Sequence, residues 1–164
     1  MTYPRRPRAA GDLGRYMHRV TTTHVRRWHQ HRHSAGQGHL YQGSYKSFPI
    51  QDDRHFLTVC RYVERNARRA DLVDRAEAWQ WSSFWQRDHR ELIHDLPVLT
   101  DWPVARPRHW RRLVNQPLNL KELKAIRESV RRGRPWGTEP WQQRTARRME
   151  LESTFRPRGR PRQD

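Results

Sequence analysis

The sequence predicts an α+β chain, mostly helical, that ends in a basic tail. Apolar residues recur at three- and four-residue spacing in three stretches, near positions 13–28, 56–67 and 120–130. Between the first two, alternation through Leu40, Tyr45 and Phe48, punctuated by Gly36, Gly38 and Gly43, suggests short strands. After the third, arginine accumulates towards the C-terminus.

The elements follow in order. Residues 1–11 form a basic leader with proline and glycine, predicted to be disordered. It holds no apolar run of the roughly 7–15 residues that a signal peptide needs. Asp12 opens a helix on which Leu13, Tyr16, Met17, Val20, His24 and Trp28 form one stripe, with Arg15, Arg19, Arg26 and His29 opposite. His29, His31 and His33 form HQHRH, but alternate residues share a face only in a strand, and this stretch continues a helix. It reads as a solvated helix end, with adventitious metal binding as the alternative. Asp52 to Val73 is the central helix. Asp52 or Asp53 is its N-cap, and Phe56, Val59, Cys60, Val63 and Ala67 fall within roughly 80° of one another as a core stripe. Tyr62 lies about 130° away from that stripe, among Arg61, Glu64 and Arg65. A phenol on a basic face is placed to meet a phosphate; an ordinary surface or secondary-interface tyrosine is the alternative.

Trp79, Trp81 and Phe84 surround Ser82 and Ser83, and bulky aromatics of this kind usually act through burial. Residues 92–117 carry Pro97, Pro103 and Pro107 and read as a linker, which makes 12–91 one domain. A last helix runs from Leu118 to Arg132 on a stripe of Leu120, Leu123, Ile126 and Val130, beginning a tail over 118–164. Within that tail, Trp141 to Arg148 could form a short basic helix. R-G-R-P occurs twice, with Arg132 and Arg134 and again with Arg158 and Arg160. The second copy is similar to an AT-hook core, in which glycine lets an extended chain enter a narrow minor groove; a solvated basic extension is the alternative.

Lys and Arg number 34 against 17 acidic residues, a net charge of +17. With a pI near 11.5, the chain is expected to meet a polyanion, and nucleic acid is the default. A basic membrane-surface protein competes, but no long apolar run or lipidation motif supports it. Cys60 is the only cysteine, which excludes an intramolecular disulfide and fits a reducing, cytoplasmic setting. Several of the eight tryptophans lie among arginines, where stacking on bases is possible.

The string RYVERNARRADLV, from Arg61 to Val73, followed by WQWSS from Trp79 to Ser83, resembles the signature Y-I-x-x-N-P-x-R-A-x-L-V … W-x-W-S-S. That signature belongs to REP-associated tyrosine transposases, within the single-tyrosine HUH transposases. GHLYQGSYKSF, from Gly38 to Phe48, similarly resembles the family's G-H-L-W-Q-G-R-F-K-S-F, with Tyr41 for tryptophan and Ser44 for arginine. The resemblance implies that Tyr62 is the nucleophile and matches Asn66 to the family's asparagine. Ala67 stands where proline is usual and Asp71 where glycine is. Lys46 and Gln42 then become candidate phosphate contacts beside Arg61 and Arg65.

The resemblance implies DNA strand transfer: the tyrosine attacks a backbone phosphate, leaving a 5′-phosphotyrosine bond and a free 3′-hydroxyl. It also implies Mg²⁺ or Mn²⁺ on a His-hydrophobic-His pair, and action as a homodimer. No counterpart of that pair is recognisable, so no metal ligand is assigned. The expectation is a remnant of a ferredoxin-like HUH domain, truncated at its N-terminus, that binds single-stranded or hairpin DNA with impaired cleavage. A non-catalytic DNA-binding remnant is the alternative; an RNA-binding protein lacks any recognisable RNA module.

Overall fold

The computed structural model describes residues 11–41, 43–51, 53–92 and 99–156. It divides into two units, Met1–Tyr45 and Lys46–Asp164.

The first unit holds α1 (Asp12–Arg32), with Asp12 in the first turn bound to Arg15 at 2.5 Å. Its end is a backbone device: His33 adopts φ 51°, and the His33 and Ser34 N–H groups both donate to the His29 carbonyl. The chain then bends through Gly36, Gly38 and Gly43, all at positive φ. His24 Nδ1 meets Tyr41 Oη at 2.6 Å.

The second unit is helical: α2 (Arg54–Glu64), α3 (Asn66–Arg69), α4 (Ser83–Asp88), α5 (Trp110–Asn115), α6 (Leu120–Arg132) and α7 (Glu139–Arg148), with short 3-10 turns between them. The α+β expectation is thereby corrected. Among the described residues there is no strand or sheet, and the one extended pairing is an isolated parallel bridge between Ile50 and Trp136. The chain is not a ferredoxin-like remnant. Glycines at positive φ interrupt the run through Leu40 and Tyr45 before a strand can form, and the helices bury their stripes against one another instead of a sheet.

α2 is the centre of this unit because two of its faces are apolar. Leu57 and Cys60 pack on a cluster of Ala76, Phe84, Trp110 and Val114. Val59 and Tyr62 belong to a second cluster with Ile126 and Trp136. The predicted stripe therefore holds at Val59, Cys60 and Ala67 but not at Val63, which is 60% exposed, while Glu64 is 4% exposed. Asp53 caps α2, its side chain accepting from His55 N–H at 2.7 Å. The predicted helix to Val73 stops earlier, in a two-bond turn. Asp71 N–H donates to Arg68 O and Leu72 N–H to Ala67 O, with Asp71 at φ 54°.

The described residues 99–117 of the predicted linker contribute core. Trp110 and Val114 are almost fully buried, and Trp102 stacks edge-on against both Phe56 and Trp110. α6 begins with a capping box of Asn119 and Glu122 and ends at Gly133, φ 72°.

Candidate nucleic-acid interface

The residues around Tyr62 come from α2 and α3, which share one basic face. Tyr62 is half-buried in the Val59–Ile126–Trp136 cluster, so its ring acts partly as packing. The Arg69 guanidinium lies 4.6 Å from the ring centroid and also donates to Asn66 Oδ1 at 2.5 Å. Tyr62, Arg69 and Asn66 are thus one connected group, which the sequence reading covered only through Tyr62 and Asn66.

Four arginines crowd this face, and two are committed. Arg61 donates to the carbonyls of Leu113, Gln116 and Pro117, at 2.8, 3.3 and 3.0 Å. Arg68 donates to the Asn115 carbonyl. These carbonyls lie at and just beyond the C-terminal end of α5, where the helix dipole favours cations. Arg61, read from sequence as a DNA contact, therefore ties α2 to α5. Arg65 is half-buried; burial and the neighbouring Arg68, Arg69 and Arg61 charges hold its guanidinium below its ordinary pKa. Arg69 is exposed. An anion seated here would relieve the mutual repulsion.

Lys46 is exposed. Arg132 donates to the Arg156 carbonyl and pairs with Glu128 at 3.4 Å, and Arg134 lies 4.0 Å over the Phe155 ring. The first R-G-R-P is accordingly a helix terminus with Pro135 fully buried, and its arginines hold the C-terminal turn. Gln42, Arg158 and Arg160 lie outside the described residues.

Glu64 is the residue whose role the sequence hid. Its carboxylate accepts from Ser83 Oγ at 3.0 Å and from the Trp110 indole N–H at 2.7 Å. Burial pushes its pKa up, against the pull of those two hydrogen bonds and of Arg106 and Arg87. Burial likewise lifts the Cys60 thiol to about 12, helped by Glu64, which makes it a packing group and a poor nucleophile. Ser83 and Trp110 lie 19 and 46 residues beyond Glu64, so no local pattern signals the triad.

Among the described residues no group of three or more His, Cys, Asp or Glu is placed to hold a metal ion. His29 and His31 stand two residues apart on α1, about 200° round it. His29 is bound instead to Ser34 Oγ at 3.0 Å.

The two departures from the transposase signature fall at backbone positions suited to the residues they replace. Ala67 lies in the first turn of α3, where a proline's missing N–H leaves no hydrogen bond unmade. Asp71 occupies the left-handed region that favours glycine. No helix among the described residues is long and apolar enough to cross a membrane. No protein-family profile, curated protein or solved structure matches the chain.

Proposed function

We propose that this chain is a DNA-binding protein of transposase type that engages single-stranded or hairpin DNA on the α2–α3 face, with strand cleavage at Tyr62 impaired. The observation that carries the proposal is the exposed Arg69 on the Tyr62 ring and Asn66, with Arg65 beside it, on a chain of net charge +17. The fit of residues 67 and 71 to proline and glycine backbone positions supports the link to the signature. Arg69 and Arg65 contact the DNA backbone, and Lys46 adds a further phosphate contact.

Impairment follows from the histidine pair that the resemblance implies and the sequence lacks. A phenol is a weak nucleophile at neutral pH, so strand attack needs an activating group. No counterpart of that pair is recognisable, and the ring of Tyr62 is partly taken up in packing at an interface. The alternative, DNA binding without any catalysis, shares every binding residue and differs only at this step. Cytoplasmic location and a homodimer belong to the same proposal; unpaired Cys60 supports the first.

The test is to incubate the purified chain with labelled hairpin DNA and Mg²⁺ or Mn²⁺, beside Tyr62→Phe, and to resolve the products on a denaturing gel. Binding is expected to show as salt-sensitive anisotropy that weakens in Arg69→Ala, with little or no covalent adduct. Failure to bind single-stranded or hairpin DNA at low salt would overturn the proposal. A strong adduct that disappears in Tyr62→Phe would overturn the impairment.

A further inference from the structure

Beside Asn66 lies a cavity of about 300 Å³ between α3 and the turn that carries Trp79 to Ser83. Three large apolar side chains line it while remaining open to water: Trp81 is 73% exposed, Leu72 62% and Val63 60%. The molecule keeps these together on one surface, and such patches generally mark recognition sites. We infer that this cavity receives an unstacked base of a single-stranded DNA, seated against Trp81, with the adjoining phosphate on Arg69.

The chemistry of the walls selects that occupant. Trp79 and Trp81 supply indole surface for a planar ring. At the rim, the Asn66 carbonyl oxygen already accepts from Arg69, which leaves its amide N–H groups directed to other acceptors, such as a base carbonyl or ring nitrogen. At the floor, both Glu64 carboxylate oxygens are occupied by Ser83 and Trp110. That floor offers nothing to bind a phosphate, and burial disfavours its charge. An anion therefore belongs outside the cavity, at Arg69, and an uncharged aromatic group inside it. A nucleotide carries both groups at adjacent positions. A peptide's apolar side chain would fill the cavity but leave the arginines unmatched.

This inference rests on the proposed DNA binding and deepens it. The experiment uses the full chain with an oligothymidylate carrying one 2-aminopurine, stepped through each position, and a matching series with an abasic site. Trp81→Ala and Trp81→Phe are compared with wild type; both replace an exposed side chain, so the fold should be retained. Stacking predicts that 2-aminopurine fluorescence is quenched at one position by wild type and Trp81→Phe but not by Trp81→Ala. Trp81→Ala should lose roughly ten-fold in affinity for the intact strand, with the salt slope unchanged, and nothing further for the strand that is abasic at that position. DNA binding that is indifferent to Trp81, or equal losses on intact and abasic strands, would overturn the inference and leave the binding face standing. Absence of any DNA binding would overturn both.

Discussion

Glu64 shows how one buried carboxyl can govern a helix interface. Its pKa is raised, so between the ordinary carboxyl value and the raised one the folded chain retains a proton that the unfolded chain has lost. Its contribution to stability is therefore fullest at low pH and falls as pH rises through that window. Glu64→Gln should remove the fall: the amide oxygen can still accept from Trp110, and its N–H can donate to Ser83. Melting temperatures followed from about pH 4 to about pH 8 should show the variant gaining on wild type as pH rises. Glu64→Ala should instead destabilise by about 1–3 kcal/mol at every pH, because it strands the Trp110 indole N–H in the core. Cys60 offers a second check at this scale. With its thiol pushed to about 12, alkylation at mildly alkaline pH should be slow in the folded protein and fast in guanidinium.

Among the elements, helix ends carry much of the design. His33, Asp71 and Glu150 are the described non-glycine residues at positive φ, and each follows a helix in the position where glycine is commonest. Asp71→Gly should stabilise the second unit by up to about 1 kcal/mol, read as a shift in denaturant midpoint at constant slope. The reverse case is Gly133, φ 72°, at the end of α6. A Cβ there would meet only the Ser47 carbonyl oxygen, at an ordinary 3.7 Å, so the cost of Gly133→Ala, about 1 kcal/mol, would be backbone strain alone. The end of α5 works differently: Arg61 and Arg68 supply the missing donors from α2 and α3. Arg61→Ala should therefore lower stability more than it lowers DNA affinity, whereas Arg69→Ala should do the opposite. Melting and anisotropy on the same preparations separate the two.

At the scale of the whole molecule, charge dominates. A net +17 makes affinity for any polyanion steeply dependent on salt. For single-stranded DNA the plot of log K against log salt should be linear, and each phosphate contact removed should reduce its slope by about 0.7. Arg65→Ala and Arg69→Ala are each expected to do so, while Trp81→Ala leaves the slope unchanged and lowers its intercept. A slope unaltered by both arginine variants would place the binding face elsewhere.

Charge and the longer amphipathic helices were legible in the sequence, because these depend on composition and on neighbours within one or two turns, whereas α5 lay in a stretch that read as a linker and the capping box of α6 was not foreseen. α1, the α2 cap at Asp53, and α6 were legible at that range. It also picked out Tyr62 and the basic face around it. The absence of strands among the described residues, the second apolar face of α2 and the burial of Glu64 were not legible. Each depends on what packs opposite: Ile126 and Trp136 make Tyr62 an interface residue, and Trp110 with Ser83 makes Glu64 an interior one. The same holds for the arginines, which look interchangeable along the chain. Only the tertiary structure separates Arg61, spent on the carbonyls around the end of α5, from Arg69, left beside a cavity and a phenol.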